Sequence, residues 1–293
     1  MPSASSGDSV DAPGSGNGTG LGARRRVRPP WRLGLAIMLL AFLMTLALLA
    51  GRYPSAGFMS FSGLRDDPLA LRVILLIRLP RLILAALVGA VLGASGCVFQ
   101  LVFSNALVDA GFLGVSQGAA FGAALAMVLG LGSAGLYGLA FILSMAALLL
   151  SVFMAERIRF GGAVLRLVLS GIAVSAFFSA LVALVKYTAD PLKQLPDIAY
   201  WMMGGLSAAS WATVRLVAPG ALLSVSALVL LRWRTTLLSL DEATAVSLGV
   251  RPRLERALVL SLATFGVASV TAAAGIVSWV GLIMPHMSRL VLG

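Results

Sequence analysis

Residues 79–102 read LPRLILAALVGAVLGASGCVFQLV, and apart from Arg81 and Gln100 every side chain in this stretch is apolar or small. A helix rises about 1.5 Å per residue, so a helix of this length can cross the hydrocarbon core of a bilayer, which is about 30 Å thick. The apolar residues run continuously and do not alternate with polar ones, which excludes a transmembrane β-strand. The stretch therefore predicts a membrane-spanning α-helix.

Composition extends this prediction to the whole chain. Hydrophobic residues make up 59% of the chain, charged residues 11%, and the mean hydropathy is +0.99, whereas a soluble domain carries about 25% charged residues. Further apolar runs lie near 33–50, 111–131, 135–155, 164–187, 211–231, 254–273 and 276–292. We predict an all-α polytopic membrane bundle of about eight spans. Residues 190–206, which prolines and glycines interrupt, are expected to form a short helix or re-entrant segment outside the full spans.

The first 30 residues differ from the rest of the chain. Residues 1–30 are rich in Ser, Gly and Pro and lack hydrophobic periodicity, which predicts a disordered cytoplasmic tail before a transmembrane domain over 31–293. The basic run that ends this tail and the apolar run after it resemble a signal peptide. Because that apolar run is long and more spans follow, we expect an uncleaved first span.

Basic residues indicate how the spans are oriented. The formal net charge is +11, but the arginines lie at span ends without interleaved aromatic residues, which favours membrane topology over nucleic-acid binding. With the N-terminus in the cytoplasm, the Arg-rich segments 24–32, 157–166 and 232–256 also lie there. The positive-inside rule therefore favours a cytoplasmic N-terminus, and it places residues 237–250 in the cytoplasm.

Small residues recur at a spacing of four within the predicted spans. The pairs are Gly89 and Gly93, Gly118 and Gly122, and Ser175 and Ser179. Residues four apart lie on one helix face, and small side chains there let two helix backbones approach closely in lipid. These pairs are therefore predicted to serve helix packing in a compact bundle.

Residues that carry chemistry are scarce. The sequence contains one histidine, His286, and one cysteine, Cys97, and it has no metal-ligand cluster, no nucleophile paired with a base and no paired carboxylates. The phosphate-binding pattern GxxxxGK[ST] is missing, and no acid falls in the middle of a predicted span, where it would mark an ion relay. We expect no catalytic residue, no metal and no cofactor, and we expect any uphill transport to be driven by another subunit.

Residues 237–250, LLSLDEATAVSLGV, form a short polar segment between two apolar runs. Ser239 and Glu242 fit a capping box, and Asp241 beside Glu242 suits the positive end of a helix dipole. Gly249 provides a C-terminal stop. The apolar residues available for contact are Leu240, Ala243, Val246 and Leu248. A helix this short is marginal in water, so it is expected either to rest on its own bundle or to dock into a partner protein.

Several segments resemble one family in the order in which they occur. They are RLPR (78–81), GAVLGASGCVFQ (89–100), NALVDAGFLGVSQGAAFG (105–122), LSGIAVSA (169–176), YWMMGGLSAASW (200–211), LSLDEATAVSLGV (238–250) and GIVSWVGLIMPHMSRLVLG (275–293). The third segment is similar to the family string NPLADPGLLGVSSGAALG. From about residue 33 onward the chain resembles permease subunits of the FecCD type, the transmembrane halves of ABC importers for iron–siderophores, haem and cobalamin.

The resemblance implies ten spans with inverted repeats in the lipid bilayer of the bacterial cytoplasmic membrane. It also implies a homodimer, or a pairing with a paralogous permease, around a central pathway. ATP hydrolysis is expected on a separate ATPase, so this chain is not expected to be an enzyme. AGFLGVS (110–116) and SWVGLIM (278–284) are candidates for corresponding breaks in the two halves. Because the chain ends directly after the eighth predicted span, two spans of the family are expected to be missing.

The resemblance also implies roles for particular residues. The coupling helix, which would sit in a groove of the cytoplasmic ATPase, comprises Ser239, Leu240, Asp241, Glu242, Ala243, Val246, Leu248 and Gly249. Arg78 and Arg81 would dock an extracytoplasmic substrate-binding protein. The candidate pathway residues are Trp201, Met202, Met203, Gly204 and Gly205.

Two other hypotheses stay open on the sequence. One is an ion-coupled secondary transporter, against which the lack of mid-span acids counts. The other is an inactive, truncated permease fragment. The sequence does not distinguish among siderophore, haem and cobalamin as the cargo.

Overall fold

The structure is a computed structural model that describes residues 31–51, 53, 57–58 and 67–292. The tail predicted at 1–30 lies outside the described residues. The helices are α1 (Trp31–Leu49), α2 (Pro68–Val102), α3 (Val115–Val128), α4 (Ser133–Arg157), α5 (Ala163–Thr188), α6 (Gln194–Met202), α7 (Trp211–Leu230), α8 (Arg232–Leu237), α9 (Glu242–Ser247), α10 (Pro252–Ala274) and α11 (Val280–Leu292). After α1, the two-residue strands Ala50–Gly51 and Gly57–Phe58 pair antiparallel.

Six of the described helices are long and apolar enough to cross a membrane, namely α1, α2, α4, α5, α7 and α10. They cover six of the predicted spans and confirm the helical membrane bundle. The spans predicted at 111–131 and 276–292 are different, because the helices there, α3 and α11, have only 14 and 13 residues. The prediction of a full span is wrong at 111–131, since a break in the backbone precedes α3 and shortens it. Helix α11 also begins after a break, and it continues to Leu292, the last described residue.

Helix α2 begins earlier than the sequence predicts. Asp67 caps its first turn by accepting a hydrogen bond from the backbone N–H of Leu69 at 2.8 Å, and Pro68 follows at the first helical position. A π-helical turn at Ile74–Arg78 joins this first part to the long apolar stretch. Pro80 lies directly after that turn, and because proline has no N–H it removes one helical hydrogen bond there.

Helix α10 forms the centre of the bundle. About two thirds of the residues in the most apolar part of α10 are buried inside the bundle. None of the corresponding residues of α1 are buried, so α1 lies at the edge of the bundle. Hydroxyl groups of neighbouring helices bond to carbonyls of α10: Ser95 Oγ donates to Ala263 at 3.2 Å and Ser224 Oγ donates to Leu262 at 2.8 Å. Such hydrogen bonds hold helices together in lipid, where apolar burial contributes little.

The glycine pairs differ in what they do. A Cβ atom on Gly118 or Gly122 would collide with the backbone of α4, which confirms close helix packing for this pair. A Cβ on Gly93 would stand 3.7 Å from the Cβ of Met284, but no atom lies within 4 Å of the corresponding position on Gly89. The packing prediction is therefore wrong for Gly89. The serine pair on α5 lines a cavity, and the backbone of Ser175 also lies close to Gly114.

Contacts between loops place the connecting segments at two ends of the bundle. At one end, Arg32 Nη1 donates to the carbonyl oxygen of Val291 at 3.5 Å. At the other end, Gln194 Nε2 donates to Val128 at 3.2 Å and Trp211 Nε1 donates to Leu75 at 2.8 Å. The ion pair between Arg253 and Glu156 also joins the start of α10 to the end of α4, so Arg-rich segments that the positive-inside rule groups together are in contact. The short helix expected within 190–206 is α6. It lies at the same end of the bundle as the Gln194 and Trp211 hydrogen bonds.

Candidate sites for coupling and transport

Helix α9 has an N-terminal cap, but not the one that the sequence predicts. Asp241 Oδ2 accepts a hydrogen bond from the backbone N–H of Thr244 at 2.9 Å, and Glu242 is the first helical residue. Ser239 instead donates its hydroxyl to the carbonyl oxygen of Thr236 at 2.7 Å. The predicted capping box is therefore wrong: the turn after α8 engages Ser239, and Asp241 has the extended backbone of a cap residue.

The C-terminal stop at Gly249 is confirmed. Gly249 has φ +80°, a left-handed conformation that glycine adopts at little cost. Its N–H donates to Val246 at 2.9 Å, and the N–H of Val250 donates to Ala245 at 3.1 Å. These two bonds form a Schellman motif, in which the last carbonyls of a helix find donors. Helix α9 is therefore closed at both ends.

The residues of this segment face two ways. Those buried against the bundle are Leu238, Ala245 and Val250. Those exposed at the surface are Leu240, Ala243, Val246 and Leu248, and the exposed fractions of Leu240, Val246 and Leu248 are 41%, 56% and 55%. The segment is anchored inward by small and aliphatic residues and presents aliphatic side chains outward. A surface of this kind suits contact with another protein.

Electrostatics at the start of α9 depend on Asp241. The hydrogen bond from the backbone N–H of Thr244 holds the pKa of this exposed carboxyl below its usual value of 3.8. The cap is therefore in its charged, bonded form at neutral pH.

Two backbone breaks meet at one cavity in the bundle. The first precedes α3, where Gly114 has φ +77° and packs against Val174 and Ser175 in the middle of α5. The second precedes α11, where Trp279 has φ +71°, a conformation uncommon for a residue other than glycine. These are the segments 110–116 and 278–284 that the sequence offers as corresponding breaks. Both contribute lining to a cavity of about 320 Å³.

The lining of this cavity is polar for the interior of a membrane protein. Hydroxyl and amide side chains come from both breaks and from α5 and α10: Ser116, Gln117, Ser175, Ser179, Thr271 and Ser278. Asp109 also lines the cavity, and its Oδ1 accepts a hydrogen bond from the N–H of Gly111 at 2.9 Å. The prediction concerned only acids in the middle of a predicted span, and it did not identify Asp109 as a cavity residue. Asp109 falls just before a predicted span, and only the fold brings it beside the middle of α5.

The candidate pathway residues at 201–205 separate into two groups. Trp201, Gly204 and Gly205 line a second cavity of about 300 Å³ between α6 and the end of α10. Met202 packs with the apolar cluster around Ile198, and Met203 is 78% exposed. The structure therefore places three of the five residues around one space and the two methionines elsewhere.

A tight backbone contact forms this second cavity. Gly204 has φ +71° and Gly275 has φ +69°, and a Cβ on Gly204 would collide with the carbonyl of Ile276. The N–H of Gly205 donates to Ala274 at 2.8 Å. The loop after α6 is thereby joined to the break that follows α10, so the second cavity and the second break share a wall.

The two RLPR arginines have different surroundings. Arg78 is half-buried, and its guanidinium donates to the carbonyl oxygens of Leu48, Leu49 and Tyr53 at 2.9, 3.2 and 3.3 Å. It thereby fixes the end of α1, where free carbonyls favour a cation. Arg81 is exposed, and its Nε donates to Leu206 at 3.1 Å. Of the two, only Arg81 presents its guanidinium at the surface.

Gln100 joins the second break to the end of α2. Its Nε2 donates to the carbonyl of Leu282 at 3.2 Å, and its Oε1 accepts from Arg289 Nη2 at 2.7 Å. His286, which lies on α11 with Arg289, is exposed. In the described part of the chain, no three His, Cys, Asp or Glu side chains come together as metal ligands would.

Comparisons with known proteins agree with this architecture. Residues 37–293 match the model of the FecCD transport family. The molybdate import permease MolB of Haemophilus influenzae is 38% identical over 263 residues, which are 87% of this chain and 78% of that protein. A protein of Helicobacter pylori named as an iron chelatin transport permease is 42% identical over 221 residues, 75% of this chain and 66% of that protein.

A solved structure has the same fold. It is an inward-facing conformation assigned to the metal-chelate class of ABC transporters, with a TM-score of 0.81 and 38% identity over 90% of this chain and 82% of its own. The chain spans about two thirds to four fifths of the length of these proteins. The permease is not itself catalytic. On the family model, the relatives and the shared fold, the chain belongs to the FecCD transport family as a permease subunit of an ABC importer.

Proposed function

We propose that this permease carries a metal chelate of the iron–siderophore, haem or cobalamin type across the bacterial cytoplasmic membrane, with its N-terminus in the cytoplasm. A separate cytoplasmic ATPase supplies the energy and docks on the coupling surface, which we define as α9 with its flanking residues 239–241 and 248–249. The observation that carries the docking proposal is the exposed aliphatic face of a helix closed at both ends. A helix with both ends capped keeps its shape when it is displaced as a unit, whereas a helix with frayed ends deforms locally.

The proposed cycle begins at the coupling surface. ATP binding closes the ATPase dimer and displaces α9, which is anchored to the bundle through its buried face. The bundle then changes between outward- and inward-facing packings as rigid bodies. The breaks before α3 and α11 support this proposal, because irregular backbone around a cavity is typical of the moving parts of transporters.

Three further partners belong to the proposal. A second copy of the permease, or a paralogue, pairs with the first around a central pathway in the bilayer. An extracytoplasmic substrate-binding protein docks at the opposite end from α9, with Arg81 as the available arginine, while Arg78 supports the surface from below. Trp201, Gly204 and Gly205 border the pathway at that end. Met202, in the apolar cluster around Ile198, and the exposed Met203 are not part of that lining.

Molybdate is a second candidate substrate. It is favoured by the MolB relative, which covers more of this chain than the iron chelatin relative does. Uptake of radiolabelled molybdate and of a radiolabelled ferric siderophore, each with its cognate binding protein, distinguishes the two. Competition by an excess of unlabelled haem and cobalamin extends the comparison to the other chelates.

Co-purification with the cognate ATPase tests the coupling surface. Val246→Asp and Asp241→Arg place new charge on the exposed face and are expected to lower both ATPase association and uptake. Glu156→Gln, at an exposed position in the last turn of α4, serves as the control. Intact association and uptake in both surface variants would refute the coupling role.

The ion-coupled hypothesis is tested by the same uptake assay. Asp109 beside the first cavity is a carboxylate that such a transporter could use. Uptake that persists after ATP depletion and stops when the membrane potential is collapsed would favour ion coupling. The proposed importer predicts the reverse, and absence of uptake under every condition would favour the inactive fragment.

A further inference from the structure

Glu255 is unusual among the charged residues of this protein. Among the residues that the structure describes, Glu255 is the only charged residue that is buried, with 9% of its surface exposed. It lies in the first turn of α10, and its Oε1 is paired with Nη1 of Arg234 on α8. Its second oxygen, Oε2, is buried without a hydrogen-bond partner in the described structure. Arg234 remains more than half exposed.

Burial makes this ion pair persistent. A carboxylate taken out of water is unfavourable unless a cation or hydrogen-bond donors compensate it. For Glu255 the compensation comes from Arg234 and from the positive end of the α10 dipole. Separating the pair would leave a buried charge without its partner, so the two side chains move together.

The ion pair connects the two ends of the segment that contains α9. Arg234 precedes the coupling surface and Glu255 follows it, at a separation of 21 residues. Leu238, Ala245 and Val250 anchor the intervening residues inward, but the stretch 248–251 between α9 and α10 is not helical. Without a link between α8 and α10, this segment could bend at 248–251 when α9 is displaced. Helix α10 would then stay in place.

Helix α10 leads from this link to the transport machinery. It begins at Pro252, runs through the centre of the bundle and ends at Ala274, and the non-helical residues 275–278 then lead into the second break. Residues 276–278 of that break line the first cavity. A displacement applied to α9 therefore has a continuous helical route to the cavity if it enters α10 at Glu255.

We propose that the Arg234–Glu255 ion pair is the link that transmits displacement of α9 to α10, with both side chains acting as positioning residues for coupled transport. This rests on the proposed docking of an ATPase at α9. A second ion pair provides a comparison. Arg253 on α10 pairs with Glu156 on α4, with Nη2 and Oε1 2.6 Å apart, but both side chains are largely exposed. Exposed pairs of this kind contribute little to stability.

A reporter at the second break tests the link without knowledge of the substrate. Ser278 is exposed and lines the first cavity. The permease with Cys97→Ser and Ser278→Cys is assembled with its cognate ATPase in nanodiscs, and the rate of maleimide labelling is measured with and without a non-hydrolysable ATP analogue. In this parent the analogue is expected to change the rate by about fivefold or more.

Three variants of that parent separate the possible outcomes. Glu255→Gln and Arg234→Gln are each expected to abolish most of the nucleotide-dependent change while the ATPase stays bound, and the double variant is expected to be no worse than either single one, because both remove one interaction. Glu156→Gln is expected to behave like the parent. Arg234→Gln alters a mainly exposed side chain, so it keeps the test valid if Glu255→Gln folds poorly.

The failures are distinguishable. If the parent binds ATPase but shows no nucleotide-dependent change, or if Val246→Asp and Asp241→Arg both leave ATPase binding intact, the proposed coupling function itself is wrong. If the parent responds and Glu255→Gln or Arg234→Gln responds equally with ATPase bound, the coupling stands and the transmission role of the pair is overturned. An equal loss in Glu156→Gln would also overturn it, because any change near α10 would then suffice.

Discussion

The carbonyl oxygen of Gly281 lies where a Cβ atom on Gly96 would stand. The two residues belong to α11 and α2, which cross at this point. Pro285, four residues after Gly281, has no N–H, so the Gly281 carbonyl lacks its usual helical donor. The missing hydrogen bond and the missing side chain together allow the backbones to meet beside the second break.

Gly96→Ala is expected to destabilise the permease. The new methyl group must displace the carbonyl of Gly281, and overpacking of this kind costs about 1–3 kcal/mol. Thermal unfolding of the detergent-solubilised protein should therefore shift down by several degrees. Gly89→Ala on the same helix is the matched control: no atom lies within 4 Å of its new methyl group, and alanine is favoured over glycine in a helix by about 0.5–1 kcal/mol. Equal melting temperatures for the two variants would contradict the crossing geometry.

Asp241→Ala is expected to weaken ATPase binding several-fold. Loss of the carboxylate leaves the N–H of Thr244 without its acceptor and lets the first turn of α9 fray. Affinity for the purified cognate ATPase is the measurement. Ser239→Ala serves as the control, because that hydroxyl bonds to the preceding turn and not to the helix. The cap assignment would be reversed if Ser239→Ala were the weaker binder.

The cap at α9 is expected to fail at acid pH. Because the folded-state pKa of Asp241 lies below the usual 3.8, its stabilisation is complete above that value and is lost as the pH falls through the lowered folded-state pKa. Hydrogen exchange at Thr244, corrected for the intrinsic pH dependence, should lose protection in that window. In Asp241→Asn the side chain still offers an oxygen but does not titrate, so the acid step should be absent. A step of equal size in that variant would assign the loss to another group.

The two RLPR arginines are expected to separate stability from docking. Arg78→Ala removes two hydrogen bonds to the end of α1 and one to the carbonyl of Tyr53. It should lower stability by about 2 kcal/mol or more, since hydrogen bonds to a charged group contribute about 1.5–3 kcal/mol. Arg81→Ala should change stability by no more than about 0.5 kcal/mol and should slow association with the binding protein. Thermal unfolding and binding kinetics of both variants give the comparison, and a stability loss confined to Arg81→Ala would refute it.

Much of the architecture could be predicted because it depends on local composition. Continuous apolar runs identify helices in lipid, because a segment there must bond its backbone N–H and C=O groups to one another. Gly249 identifies the end of α9, because a left-handed residue after a short helix favours glycine. The glycines at 118 and 122 identify a packing face for the same kind of reason, as backbones approach only where side chains are small.

The errors arise where two local signals compete or where distant segments meet. Ser239 and Asp241 are both good caps, and the turn after α8 decides between them by engaging Ser239. The sequence predicts Arg78 as a surface cation, yet the end of α1 and the residues after it supply three carbonyls to its guanidinium. No spacing rule brings together residues 25 to 30 positions apart in that manner.

Residue types and their order were sufficient to identify a helical membrane permease with a short helix that ends at Gly249, because hydrophobicity and helix termination act over a few residues. Tertiary structure alone brought Asp109 beside Ser175, Gly96 against Gly281 and Arg234 onto Glu255. These contacts depend on how helices cross and where their backbones break. Such crossings are set by steric fit across the whole bundle, which a linear pattern does not contain.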